Sequence, residues 1–426
     1  MLEDALRYEQ LQLDNGFKVN YKENDEPTVY VELIVNSGAT SEKKDEDGLA
    51  HFLEHIVNNA GSKKYSPLEI EKIKNTFGES NASTSLKRTL FYVDSLKDDF
   101  LQILDYFSEI VFNQRFDLEK IERERQRVLR EISNKLSKPN YFHDKLHKES
   151  FLGKNSLMLR EVLGNEMMLK SFDIQTIRDF YTRNYNINNV FLNVIGGIPK
   201  NIEEIIDSYF GKYRKSEFDK FIIPENKLIN HVKFFHHKAP DLLNKINANE
   251  SNSELILSIP TIPLKNENTP FVDVLNDIFC GNSNSRLFKL ISRKEGLAYN
   301  IKSLNFSEVN YGELSIKGNI KSLKSDYAID LIFDVMSQLR ETLVSEEELE
   351  YVKKRIEYRM YKDIKDVRKL SGMIYLAENY DFSQLEYLEQ VKKITPKDIQ
   401  EAARTYFPKS REEGSYVLTL RDPLKK

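Results

Sequence analysis

The chain has 426 residues, 40% hydrophobic and 31% charged, with Lys+Arg 63 against Asp+Glu 67 and a net charge of −4. That balance excludes a disordered chain and a basic nucleic-acid binder, and the length calls for two domains or more. The single cysteine, Cys280 in VLNDIFCG, excludes an internal disulfide and a cysteine-based zinc cluster and reads as a small buried thiol.

No apolar run approaches the about 18 residues of a membrane span, so none is expected. The opening MLEDALRYEQLQLDNG is polar and acidic, unlike a secretory signal, and a cytoplasmic location is expected. In LQLDNGFKVNY (Leu11–Tyr21), Asn15-Gly16 sits between alternating residues, the signal of a tight hairpin. VYVELIV (Val29–Val35) is a β-branched, apolar strand, and GLAHFLEHIVNNA after it is an amphipathic helix. GESNASTSLKRTLFYVDS (Gly78–Ser95) is a Ser/Thr-rich strand region. An open strand edge of this kind can bind an extended peptide by pairing with its backbone.

DLEKIERERQRVLREISNKL (Asp117–Leu136) is a long helix with Ile121, Val128, Leu129 and Ile132 as its apolar positions and Glu119 and Glu122 as solvated ones. His143 and His147 in YFHDKLHKES stand at i and i+4. With no accompanying carboxylate on their face, they read as ordinary helix residues near a cleft. SFDIQTIRDFYTRNY (Ser171–Tyr185) predicts a helix capped by Ser171, leading to the strand VFLNVIG (Val190–Gly196). A connector follows at about 213–253, containing two prolines and polar runs.

The second half repeats the first. ELILSIP (Glu254–Pro260) is a strand followed by the helix TPFVDVLNDIF. Near the end, TPKDIQEAARTYF (Thr395–Phe407) leads to SYVLTL (Ser415–Leu420). The Asp-Ile pairs at 173 and 398 are offset by 398 − 173 = 225. Two copies are too few for a solenoid. The pattern predicts an α+β fold of two repeated domains, each a mainly antiparallel sheet with helices packed on one face. The expected boundaries are an N-terminal domain at 1–215, a linker at 216–240 and a C-terminal domain at 241–426.

Only the first copy carries chemistry. His51, Glu54 and His55 fall at i, i+3 and i+4, so they share one helical face. Two imidazoles on adjacent turns suit zinc, which wants a third protein ligand and an open position for water. Such a zinc lowers the water pKa to near 7, and Glu54 is placed to take its proton and pass it to a leaving amine. On the long helix, Glu124 and Glu131 lie two turns apart with Val128 between them. Carboxylates on a partly apolar face need partners, which a metal and its surroundings would supply.

HFLEH followed by LREI resembles the pitrilysin, insulysin and mitochondrial processing peptidase type of zinc metallopeptidase, the inverzincins. By that resemblance His51, His55 and Glu131 bind one zinc ion, Glu54 is the base, and Glu124 supports the site. The Gly78–Ser95 segment is similar to the family's substrate-binding strand, which makes Asn81, Ala82 and Ser83 substrate-binding. SRLFKLISRKEGLAYNIKS (Ser285–Ser303) is similar to a segment from which an Arg and a Tyr seven residues apart reach the tetrahedral intermediate. Tyr299 matches the Tyr. Ser292 stands where the Arg is expected, and Arg293 is the neighbouring basic residue.

The resemblance spans nearly the whole chain. It implies a zinc endopeptidase acting on extended, unfolded peptides or leader segments inside a clamshell dimer. Two readings stay open: a homodimer, or the catalytic subunit of an obligate heterodimer, for instance one maturing a ribosomally made peptide. A non-catalytic peptide-binding subunit of the same fold is the third, and the intact motif argues against it.

Overall fold

The computed structural model describes residues 2–215, 252–422 and the strand at 232–238; the expected linker at 216–240 lies largely outside the described residues. Among the described residues, eleven strands form two sheets. The strands are β1 (Glu9–Gln12), β2 (Lys18–Glu23), β3 (Thr28–Val35), β4 (Glu79–Thr84), β5 (Thr89–Leu96), β6 (Val190–Gly196), β7 (Val232–Lys238), β8 (Asn252–Thr261), β9 (Ala298–Ser307), β10 (Gly312–Lys321) and β11 (Tyr416–Asp422). The first sheet runs β1-β2-β6-β3-β5-β4 and the second β7-β11-β8-β10-β9. In each sheet one pair is parallel, β2 with β6 and β7 with β11, and the others are antiparallel. Stripped of β1, the two orders are the same, strand for strand. The repeat read from the sequence is therefore a repeat of topology.

The expected hairpin joins β1 to β2. Gly16 takes φ +85°, which a glycine adopts without strain, and the amide of Asn15 reaches the Phe210 and Tyr213 carbonyls. The Asp-Ile helices differ at their starts. Thr395 caps the helix Pro396–Tyr406 with a capping box to Asp398, as expected. In the first copy Ser171 instead ends a preceding helix, and Asp173 caps Ile174–Asn184 by accepting from the Thr176 N–H at 2.8 Å. A carboxylate at the cap position does the work assigned to the serine.

Each sheet packs one face against its own helices. Val29, Val31, Leu33 and Val35 of β3 meet Phe52, Leu53, Ile56 and Val57 of the helix Leu49–Asn59, with Ile103, Phe107 and Ile110 of the helix Phe100–Phe112. Leu255, Leu257 and Ile259 of β8 meet Val274, Leu275 and Ile278 in the second core.

Two segments cross the expected domain boundaries. Ser137–Leu159, from the 1–215 portion, belongs to the second compact unit, and Ile364–Tyr375, from the 241–426 portion, belongs to the first. The reason is the second face of each sheet, which takes one helix from the other half. In the second unit that face is polar. Ser258, Ser315 and Thr419 alternate with the core residues of their strands. The helix Tyr141–Leu152 meets them with His143 and His147, both buried. Thr419 Oγ1 lies 2.9 Å from His143 Nε2 and 2.8 Å from His147 Nδ1, Ser258 Oγ lies 2.7 Å from His147 Nε2, and Glu254 lies 2.8 Å from His143 Nδ1. This pair does not flank a cleft, as the sequence reading has it; it is a buried polar seam. In the first unit Leu370 and Ile374 cover Tyr30 and Ile195, while Ser371 accepts from the Asn193 amide and donates to the buried Glu32.

Candidate metal centre

The helix Leu49–Asn59 buries Leu49, Phe52, Leu53 and Ile56 in the core, which turns His51, Glu54 and His55 to its other side. The helix Leu118–Leu136 lies against it, anchored by Ile121, Val128 and Ile132. Its two-turn spacing presents Glu124 and Glu131 to different sides of His55. Glu131 Oε2 is 3.6 Å from His51 Nε2, and Glu131 Oε1 is 3.6 Å from His55 Nε2. Glu124 Oε2 faces the opposite ring nitrogen, His55 Nδ1, at 3.5 Å.

Among the described residues, His51, His55 and Glu131 form a group in which one ligand atom from each lies within 4.8 Å of the others. The two 3.6 Å separations run to different oxygens of the Glu131 carboxylate, and ligands held about 2.0–2.1 Å from a tetrahedral zinc stand about 3.3 Å apart, so the three side chains must draw together to close on one ion. Two imidazole nitrogens and one carboxylate, with one side open, make the donor set of a catalytic zinc site. Exposure separates the two glutamates: the Glu131 side chain is 43% exposed and the Glu124 side chain 4%. Glu131 thus borders the open side. Glu124 is packed behind His55, where it also accepts from Arg127 Nη1 at 2.7 Å and from the Asn59 amide at 3.4 Å.

The electrostatics treat the two rings differently. Burial, reinforced by His55 and Lys135, pushes the His51 pKa down to about 3, which keeps the ring neutral, the form that ligates. Burial also opposes the charged form of His55, but Glu124, Glu54 and Glu131 outweigh it and raise its pKa. Burial raises the Glu54 carboxyl to about 7. Its Oε2 lies 3.9 Å from His51 Nε2 and accepts from the Thr84 hydroxyl at 3.2 Å.

Thr84 is the last residue of β4, the edge strand of its sheet, so Glu54 is tied to the strand whose outer edge is open. Asn81 and Ser83 on β4 are exposed, and Ala82 turns toward the core. The Asn81 side-chain oxygen accepts from the Ala82 N–H at 2.9 Å. The two remaining expected site residues belong to the second unit. Arg293 is exposed in the π-helical stretch Lys289–Lys294, its guanidinium 5.9 Å from the Phe288 ring centre, and Tyr299 on β9 is 99% exposed. Ser292, the residue before Arg293, buries its hydroxyl without a hydrogen-bond partner.

Sequence reasoning missed three residues around the group. Arg127 was legible, being three residues from Glu124 on one helix. Thr84 required knowledge of where β4 ends. Glu42, which accepts from the Gly48 and Ala50 N–H groups, hides in the charged run EKKDED.

A family model described as insulinase (peptidase family M16) matches residues 18–159, and one described as the peptidase M16 inactive domain matches residues 171–356. The chain is 26% identical over 406 residues to an "uncharacterized zinc protease" of Rickettsia felis, covering 93% of this chain and 94% of that one. It is 31% identical over 203 residues to the mitochondrial-processing peptidase subunit beta of Dictyostelium discoideum, covering 47% of this chain and 42% of that one. The crystal structure of a protease from Helicobacter pylori superposes with a TM-score of 0.83 at 18% identity, covering 98% of this chain and 100% of that one, which shows the shared fold. The metal-type group lies in the part matched by the insulinase model and no counterpart lies in the part matched by the inactive-domain model, among the described residues, and the chain belongs to the M16 (insulinase) family of peptidases.

Proposed function

We propose that this chain is a zinc-dependent endopeptidase that cleaves extended, unfolded peptides or leader segments. The observation that carries the reading is the convergence of His51, His55 and Glu131 beside the buried Glu54. His51 and His55 would hold the zinc through Nε2 and Glu131 through its carboxylate, with Glu124 orienting His55 from behind. When bound, the zinc supplies Lewis-acid polarisation of the scissile carbonyl and an acidified water.

Glu54 is the proton carrier. Its burial, and a pKa raised near neutrality by that burial, suit a group that takes a proton and then gives it to the leaving amine. The Thr84 hydroxyl holds it in place. A peptide adding to the open edge of β4 would lie along Asn81–Thr84 and so pass Glu54 in an extended form. Such pairing selects for extended, unfolded segments, whose backbone N–H and C=O groups are free to pair along their length. Tyr299, and Arg293 in place of the residue at 292, are proposed to stabilise the oxyanion from the second domain. A homodimer enclosing a chamber completes the reading, and a heterodimer follows if Ser292 leaves the second domain short of its arginine.

The test is Glu54→Gln in the purified chain, assayed for zinc content and for cleavage of an unstructured peptide. Zinc is expected to stay at wild-type stoichiometry while cleavage falls by about 10²–10⁴-fold. Full activity in Glu54→Gln refutes the mechanism. Gel filtration separates the assemblies: a chain that is inert alone and active only after another protein is added supports the heterodimer.

A further inference from the structure

The helix that carries His51 begins in an unusual way. Its N-cap is Gly48, at φ +92°, and a Cβ built there would meet the Gly164 Cα at 2.7 Å. Only glycine fits both constraints. The residues that normally cap a helix, Ser, Thr, Asp and Asn, are therefore excluded from this position, and the first-turn N–H groups need another acceptor.

Glu42 supplies it from six residues upstream. Its Oε1 accepts from the Gly48 N–H at 3.1 Å and from the Ala50 N–H at 2.8 Å, while the Leu49 N–H goes to the Glu46 carbonyl at 2.9 Å. The Glu42 side chain is fully buried, its Oε2 has no hydrogen-bond partner, and Arg160 Nη1 lies 3.8 Å from it. Arg160 also donates to the Ala39 and Glu42 carbonyls, which fixes the Glu42 backbone as well as facing its side chain.

His51 is the third residue of the helix, inside the turn that Glu42 caps, whereas His55 lies one turn further on. We propose that Glu42 is a positioning residue of the metal group, holding His51 in register with His55 and Glu131 by capping the helix that Gly48 cannot cap. The proposal rests on the reading that this group binds zinc. It adds a residue that touches neither metal nor substrate.

The experiment measures Zn²⁺ affinity of the full-length chain by competition with a chromophoric chelator, alongside hydrogen exchange of the amides at 48–52 in the metal-free protein. Glu42→Ala is expected to weaken Zn²⁺ about tenfold and to speed exchange in the first turn. Glu42→Gln should restore both, since one amide oxygen can accept both N–H groups. Glu46→Gln is the control. It breaks the pair with Arg183 but leaves the cap, so both readouts should stay at wild type. Should Glu42→Ala not fold, Glu42→Asp, one methylene too short, carries the same expectation. A folded Glu42→Ala with wild-type Zn²⁺ affinity, or an equal loss in Glu46→Gln, overturns the proposal. A wild-type chain that binds no Zn²⁺ refutes the metal reading itself, and the exchange rates then decide the cap alone.

Discussion

Glu42→Gln should change how the protein's stability depends on pH, and the change has a definite sign. Burial dominates at Glu42 and raises its carboxyl to about 8, against the opposing pull of the Ala50 and Gly48 N–H groups and of Arg160. The folded state therefore holds this proton well above pH 4.5, where the unfolded chain releases it. Between those values the folded chain binds more protons than the unfolded one. The stability this represents is fully present below pH 4.5 and is lost as pH rises through 8. At about 1.36 kcal/mol per pH unit, the interval from 4.5 to about 8 is at most on the order of 5 kcal/mol.

Glutamine keeps an oxygen for the two N–H groups and has no proton to lose, so this part of the pH dependence should vanish. Urea unfolding of metal-free wild type and Glu42→Gln at steps from pH 5 to pH 9 makes the comparison. Wild type should lose several kcal/mol more than the variant across that range, and the gap should open mainly below pH 8. Curves that stay parallel would refute the reasoning, because they would mean that Glu42 folds in its charged form.

Thr419→Val removes the hydroxyl shared by His143 Nε2 and His147 Nδ1 inside a buried seam. A loss of about 2–4 kcal/mol in the stability of the second unit is expected in denaturant titrations. Cys280 is fully buried and its thiol is pushed up to about 12 by that burial, so Ellman's reagent should label no thiol in the native chain and one after denaturation.

Much of the site was legible before the fold was known because its signals are local. Residues at i, i+3 and i+4 must share a helix face whatever the helix packs against, so the grouping of His51, Glu54 and His55 followed from spacing alone. The same rule placed Glu124 and Glu131 on one side of their helix. It could not say that Glu131 meets Nε2 while Glu124 meets Nδ1, because that depends on how two helices distant in sequence are packed together. The buried histidines of the second unit misled for the same reason. Their i, i+4 spacing was read correctly, but the partners, Thr419 and Ser258, come from strands 272 and 111 residues away in the chain.

By itself the sequence determined the types of the elements that carry the repeat, their duplicated order, and the grouping of His51, Glu54 and His55 on one helical face. These rest on periodicity, capping and spacing, which act within a few residues. The tertiary structure decided which half each covering helix serves, which glutamate borders the open side of the metal group, and which acid caps the His51 helix. Each of those is a choice among similar residues made by burial. A sheet with a polar second face takes whichever helix can satisfy its hydroxyls, and a glycine cap takes whichever carboxylate the loop can bury beside it.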